Sequence, residues 1–282
     1  MASDPIRLLV ALLVATLIAL VVNRRGADAP SGLRTPWRWL AATTLIAVAL
    51  WLAVLIPVAT ADLPQDLDPA ALAPAALVVT PLLLLGIAAV WVALAWGGDR
   101  RWRRALGLGA CRPLVEMAVG VAVGIAAWAA VLVSMMVLGS VLLLVRGELP
   151  GGGVPPPMVV WLAGLPVAWR LGLSVAAGLS EEIFFRGLLQ SRLGIVASTS
   201  IFVLAHVSYG APLMLVGLTL LSLGYGVLVR RRRSVWAAVT AHAVFDGVQL
   251  LVVIPAALAA LEAAAPSGVS PAALVAVCYA AQ

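Results

Sequence analysis

Residues 213–233 read LMLVGLTLLSLGYGVLVRRRR, and this stretch decides the class of fold. Positions 213–229 carry no charge, and a run of four arginines, Arg230 to Arg233, follows them directly. A helix rises about 1.5 Å per residue, so about 20 apolar residues cross the roughly 30 Å of hydrocarbon in a bilayer. A block of arginine at the end of such a run marks its cytoplasmic end. Runs of the same kind recur along nearly all of the 282 residues, of which 63% are apolar and only 11% charged. Soluble domains carry about a quarter charged residues, so lipid is the solvent here. The runs are unbroken blocks of Leu, Ala, Val and Ile, not the alternating segments of about 10 residues that a transmembrane barrel needs. The expected fold is all-α, a polytopic transmembrane helix bundle of about eight spans.

Working outward from the arginine run, each cluster of arginines is placed on the cytoplasmic side and the spans are threaded between them. The first, 8–22, ends at Asn23, Arg24 and Arg25 rather than at a small-residue cleavage site, so it reads as a retained span and not a signal peptide. The second starts after Trp37, Arg38 and Trp39 and leads to an outer loop holding Asp62, Asp66 and Asp68. The third, 75–96, returns to Arg100, Arg101, Arg103 and Arg104, and the fourth, 117–145, ends in the Gly- and Pro-rich stretch 150–157. Arg170 divides the next apolar run into an interfacial helix at 158–169 and an inward span at 171–190. Segment 194–209 crosses outward, 213–229 returns, and 235–261 is the last span. This gives an N-terminal transmembrane region at 1–115, with three spans and a basic cytoplasmic loop, and a second region at 116–282.

All 18 basic residues are Arg, and the net charge of +6 reads as topology. Anionic lipid headgroups are its expected partner, and nucleic acid is not. The tryptophans, Trp37, Trp39, Trp96 and Trp102 among them, mostly flank spans and read as interfacial anchors. Cys111 and Cys278 lie far apart without metal-ligand spacing and receive no role. No internal repeat of the transporter kind is present. The absence of Lys with abundant Ala and Arg points to a GC-rich genome, and a bacterial plasma membrane is the expected location.

Ionisable groups at membrane depth are the informative positions, because each costs at least a few kcal/mol unless paired or solvated in a cavity. The only two histidines, His206 and His242, fall inside expected spans, as do Glu181, Glu182, Arg186 and Asp246. Counting from Arg192 and Arg233 puts Glu181, His206, His242 and Asp246 at depths of about 16, 21, 14 and 20 Å. Four groups from three helices thus share one layer. His242 and Asp246 are i and i+4, so the carboxyl can orient the imidazole; Glu182 and Arg186 have the same spacing and read as an internal clamp. Glu181 has no evident local cation, and a partly desolvated carboxylate is suited to take a proton from water.

Here a resemblance becomes specific. Ser180 to Gly187, SEEIFFRG, is similar to the EExxxR signature of the CAAX protease and bacteriocin-processing (CPBP) family of intramembrane endopeptidases. Phe202 to His206 resembles its FxxxH motif, His242 to Asp246 its HxxxN/D motif, and Arg233 to Trp236 its approach to the last histidine span. The resemblance runs from about 158 to 261; the first four spans match nothing nameable. It implies that Glu181, helped by His206, activates a water that attacks the scissile carbonyl, with His242 and Asp246 stabilising the oxyanion. It also implies that Glu182 and Arg186 hold the first motif in shape and that Phe202 packs beside His206. Members that process prenylated proteins carry Asn where this chain has Asp246, and an ionised Asp cannot donate to an oxyanion, so orientation of His242 is the expected role. No cofactor is expected; the alternative is zinc on Glu181, His206 and His242, although no HExxH is present. The expected substrate is a peptide or membrane protein of unspecified identity, reached from the cytoplasmic side. A proton-coupled transporter or permease subunit, or a non-catalytic immunity or scaffold protein, is the alternative reading. Oligomeric state is not legible.

Overall fold

The computed structural model describes residues 5–24, 30–55, 58, 69–110, 112–147, 157–207 and 212–264. Among them there are helices and turns but no strand. The main helices are α1 (Pro5–Val22), α2 (Pro36–Leu50), α3 (Pro69–Trp96), α4 (Pro113–Arg146), α5 (Val167–Glu181), α6 (Ile195–Ala205), α7 (Pro212–Arg232), α8 (Trp236–Val248) and α9 (Ile254–Ala264). Three stretches are wound as π-helix: Trp51–Leu55 after α2, Glu182–Gln190 after α5, and Gln249–Val253 between α8 and α9.

Among the described residues six helical rods are long and apolar enough to cross a membrane: Pro5–Val22, Pro36–Leu55, Val78–Trp96, Pro113–Arg146, Pro212–Arg232 and Trp236–Ala260. The other two expected spans depart from that pattern for separate reasons. α5 and its π continuation, 15 and 9 residues, form one rod of sufficient length, but it carries Arg170, Glu181, Glu182 and Arg186. α6 has only 11 residues, about 16 Å of rise. It stops at Ala205 rather than near 209 because the His206 ring bonds the Phe202 carbonyl at 2.8 Å, diverting an acceptor the helix would use. The boundary expected at Arg170 lies earlier: a short helix, Pro157–Gly164, ends before Pro166, and Pro166 stands at the N-cap of α5, so Trp169 and Arg170 belong to α5. Arg170 donates from Nη1 to the Leu250 carbonyl at 2.9 Å, in the π turn after α8. The acidic outer loop and both cysteines lie outside the described residues.

The arginine clusters gather at one end of the bundle, as the threading required. Val235 N donates to the Gly107 carbonyl at 2.9 Å, tying the loop after Arg100–Arg104 to the end of the Arg230–Arg233 run. Gln190 Nε2 donates to the Gly226 carbonyl at 2.9 Å, which brings Arg192 to the same end. Arg192 lies over the Trp91 ring at 5.5 Å, and Trp91 Nε1 donates to Asn23 Oδ1 at 2.7 Å, beside Arg24. Trp39 Nε1 donates to the Asn23 carbonyl at 2.8 Å. Trp39 is therefore a tie between α1 and α2 as well as a flanking aromatic. Across the same end, Arg232 grips Glu116 with two bonds of 2.9 and 2.7 Å, joining the end of α7 to the start of α4.

Small residues set the position of α8. Gly120 and Gly124 of α4 lie one helical turn apart and face Ala237, Thr240 and Ala241; a Cβ at Gly124 would stand 2.6 Å from the Ala241 carbonyl oxygen. On the other flank a Cβ at Gly178 of α5 would stand 2.8 Å from the Val239 carbonyl oxygen. Ala237, Ala238 and Ala241 are fully buried between these neighbours. Lipid tails are as apolar as Leu, so helices associate in a membrane by this close backbone approach. Gly124→Leu should therefore force α4 and α8 apart at a cost of about 3 kcal/mol or more, read as a lowered unfolding temperature in detergent. Gly86→Leu, where an added Cβ meets nothing within 4 Å, should leave it unchanged; equal stability of the two variants would reject this packing account.

Candidate active site

The π turn that begins at Glu182 is the local feature that builds the site. π-Helix is rare, and its wide turn concentrates at functional sites. Here it buries Glu182 and every residue from Phe184 to Leu189. Main-chain acceptors along it are met from neighbouring helices: Ser198 of α6 donates to the Phe185 carbonyl at 2.7 Å. Gly187 permits the close approach of the Leu106 carbonyl, 3.1 Å from where a Cβ would stand.

Glu182 is wholly buried. Its Oε1 lies 3.1 Å from Arg186 Nη1 and accepts a hydrogen bond of 2.8 Å from His242 Nδ1. The expected i, i+4 clamp is present, but it is shared with a second helix: one carboxylate serves both a guanidinium and an imidazole. The Arg186 guanidinium, as deeply buried, lies over the Phe202 ring at 4.4 Å, where the π face offsets part of the cost of a charge out of water. His242 Nε2 faces Asp246 Oδ2 at 3.4 Å. Both ring nitrogens of His242 are therefore directed at carboxylates, Glu182 on one side and Asp246 on the other. That is the geometry of an oriented ring rather than of an idle donor.

Phe202 is the hub of the aromatic packing. Its ring centroid lies 4.6 Å from that of His206, 6.4 Å from that of His242 and 5.1 Å from that of Phe185. The two imidazoles thus flank a single phenyl ring, which brings α6, α8 and the π turn after α5 to one place. The His206 tautomer follows from its contact: the Phe202 carbonyl can only accept, so Nδ1 carries the hydrogen and Nε2 of the neutral ring carries the lone pair.

Glu181 is half-buried and, among the described residues, makes no ion pair or hydrogen bond. Of the two adjacent carboxylates, one is committed to Arg186 and His242 and the other is uncommitted. Asp246 is the more open member of the His242 pair, with its side chain 28% exposed. Among the described residues no group of three or more His, Cys, Asp and Glu side chains is arranged to hold a metal ion.

Two participants escaped the sequence reading. Tyr225 of α7 stacks on His242 with ring centroids 5.9 Å apart and planes inclined by 29°. Gln249, one helical turn beyond Asp246, accepts a bond of 2.7 Å from Trp128 Nε1 and pins α4 to the end of α8. The signal for Tyr225 was available, as it is the one phenol within the quoted 213–233 run, set between Gly224 and Gly226. For Gln249 the clue was its i+3 spacing from Asp246.

Residues 162–248 match the family model described as type II CAAX prenyl endopeptidase Rce1-like. The matched segment contains all three motifs and stops short of the first four spans. No curated protein and no solved structure matches the chain. The family match agrees with the resemblance drawn from the motifs and supports a membrane-embedded protease of the CAAX type.

Proposed function

Taking its Rce1-like segment, 162–248, as the premise, we propose that this chain is an intramembrane endopeptidase that hydrolyses a peptide bond with a water activated by Glu181 and His206. The observation that carries the reading is the division of labour between neighbouring carboxylates. Glu182 is buried against Arg186 and His242, while Glu181 is half-exposed and uncommitted. A base must be able to receive a proton, and only Glu181 of the two has no cation on it.

In the proposed step, Glu181 takes a proton from water as the water oxygen bonds to the scissile carbonyl carbon, and the carbonyl π pair moves to its oxygen. His206, whose Nδ1 donates to the Phe202 carbonyl, assists the water through Nε2. Collapse restores the carbonyl, breaks the C–N bond and delivers the proton to the leaving amine, so one water is added across the peptide bond. His242, held between Glu182 and Asp246, keeps α8 in register with the π turn, and Asp246 acts on it by orientation. The substrate is a peptide or a membrane protein, and the arginine-rich end of the bundle is assigned to the cytoplasm of a bacterial plasma membrane.

The test uses the full chain purified in detergent and a quenched-fluorescence peptide library. Cleavage should occur with no ion gradient and should persist in chelator. Failure to cleave any peptide, together with gradient-driven uptake in proteoliposomes, would replace the peptidase with a proton-coupled carrier. Cleavage abolished by chelator would move the chemistry to a metal.

A further inference from the structure

Tyr225 lies in the middle of α7, 3% exposed, and among the described residues its phenolic oxygen has no hydrogen-bond partner. Burying a hydroxyl unpaired costs about 1–3 kcal/mol by protein mutational measures. Phe would fill the same space against His242 without that cost, so packing alone does not account for the phenol. The ring stacks on His242, with centroids 5.9 Å apart, which places Tyr225 against the imidazole that Glu182 and Asp246 hold.

The polar hydrogens of the two imidazoles nearby are already committed. Both His242 nitrogens face carboxylates, and His206 Nδ1 donates to the Phe202 carbonyl. Arg186 makes no hydrogen bond of good geometry from either Nη, but its guanidinium is held by the 3.1 Å ion pair with Glu182 and by the Phe202 face. Hydrolysis through a tetrahedral intermediate requires a preorganised donor where negative charge develops on the carbonyl oxygen. A phenol is a neutral donor at pH 7 and can serve there without adding a charge to a low-dielectric site.

Resting on the peptidase reading above, we infer that Tyr225 is a catalytic residue whose phenolic hydroxyl donates to the oxyanion of the tetrahedral intermediate. The hydroxyl meets its acceptor only when substrate is present. Its removal therefore costs the resting protein no hydrogen bond, which makes the variant unusually clean to interpret.

The experiment compares wild type, Tyr225→Phe and Glu181→Gln on the library peptide that wild type cleaves fastest. Tyr225→Phe should keep KM, match or exceed the wild-type unfolding temperature because the unpaired hydroxyl is gone, and lower kcat by about 10²-fold, the loss found when one oxyanion donor is removed. A phosphinic-acid analogue of the same peptide, which carries a tetrahedral anionic centre, should lose affinity for Tyr225→Phe by a similar factor. A kcat reduced less than tenfold, a loss confined to KM, or undiminished affinity for the analogue would overturn the inference. If wild type cleaves, Glu181→Gln does not and Tyr225→Phe matches wild type, the inference falls and the peptidase reading stands. If wild type cleaves nothing, both fall.

Discussion

Glu181→Gln is expected to lower kcat for peptide cleavage by about 10³-fold or more, with little change in unfolding temperature. Loss of a positioned general base costs typically 10²–10⁴-fold, and here the same group also orients the nucleophile. Gln keeps the size and polarity of Glu but cannot take a proton. Because Glu181 makes no ion pair or hydrogen bond among the described residues, the substitution breaks no contact seen in the fold. The expected signature is a kcat effect with KM nearly unchanged, since the carboxylate acts on water in the transition state and not on bound substrate. Single-turnover rates on the fastest library peptide would measure it, with denaturation in detergent run in parallel. A Glu181→Gln protein that cleaves within a few-fold of wild type would remove the base from the mechanism. It would also leave the buried Glu182 and His242 pair as the place to look.

The sequence made the bundle legible because its message is additive: every apolar run and every arginine cluster repeats the same statement. The gathering of Arg24, Arg100 to Arg104, Arg192 and Arg230 to Arg233 at one end follows from it directly. The site was legible at the level of the layer. Counting 1.5 Å per residue put two histidines and their carboxylates at one depth, and Phe202 does touch both rings. What depth counting cannot supply is azimuth. Whether Glu182 or Glu181 faces α8 depends on how the helix is wound, and the π turn that starts at Glu182 changes that winding without a signature in residue type. For the same reason Glu182 read as a self-contained partner of Arg186, when it is shared with His242. The truncation of α6 depends on a side chain bonding its own helix, which periodicity does not register. Gly120 and Gly124 were present as a small-xxx-small pair, but a motif of two glycines among 25 does not say which helix it will meet.

The second large effect concerns stability. Glu182→Ala is expected to destabilise the folded protein by about 3–5 kcal/mol, the usual result of removing one partner from a buried ion pair. The reason lies in what stays behind. Arg186, 2% exposed, keeps its charge under all ordinary conditions and would face only the Phe202 ring, while His242 would lose its 2.8 Å acceptor. A buried pair itself is a poor stabiliser, since desolvation offsets most of its Coulomb gain. The penalty therefore belongs to the orphaned cation and not to a lost bond. This distinction is measurable. A double variant, Glu182→Met with Arg186→Met, removes both charges and approximately conserves volume, and it should recover much of the stability that Glu182→Ala loses. Unfolding temperatures in one detergent, taken for wild type, Glu182→Met, Arg186→Met and the double, give the coupling between the two sites. Should the double prove as unstable as the sum of the singles, the two residues act independently and the shared carboxylate does not organise the site. Should the double fold well yet cleave nothing, the ion pair serves to place His242 against Phe202 and Tyr225, a role that an apolar core of equal volume cannot reproduce.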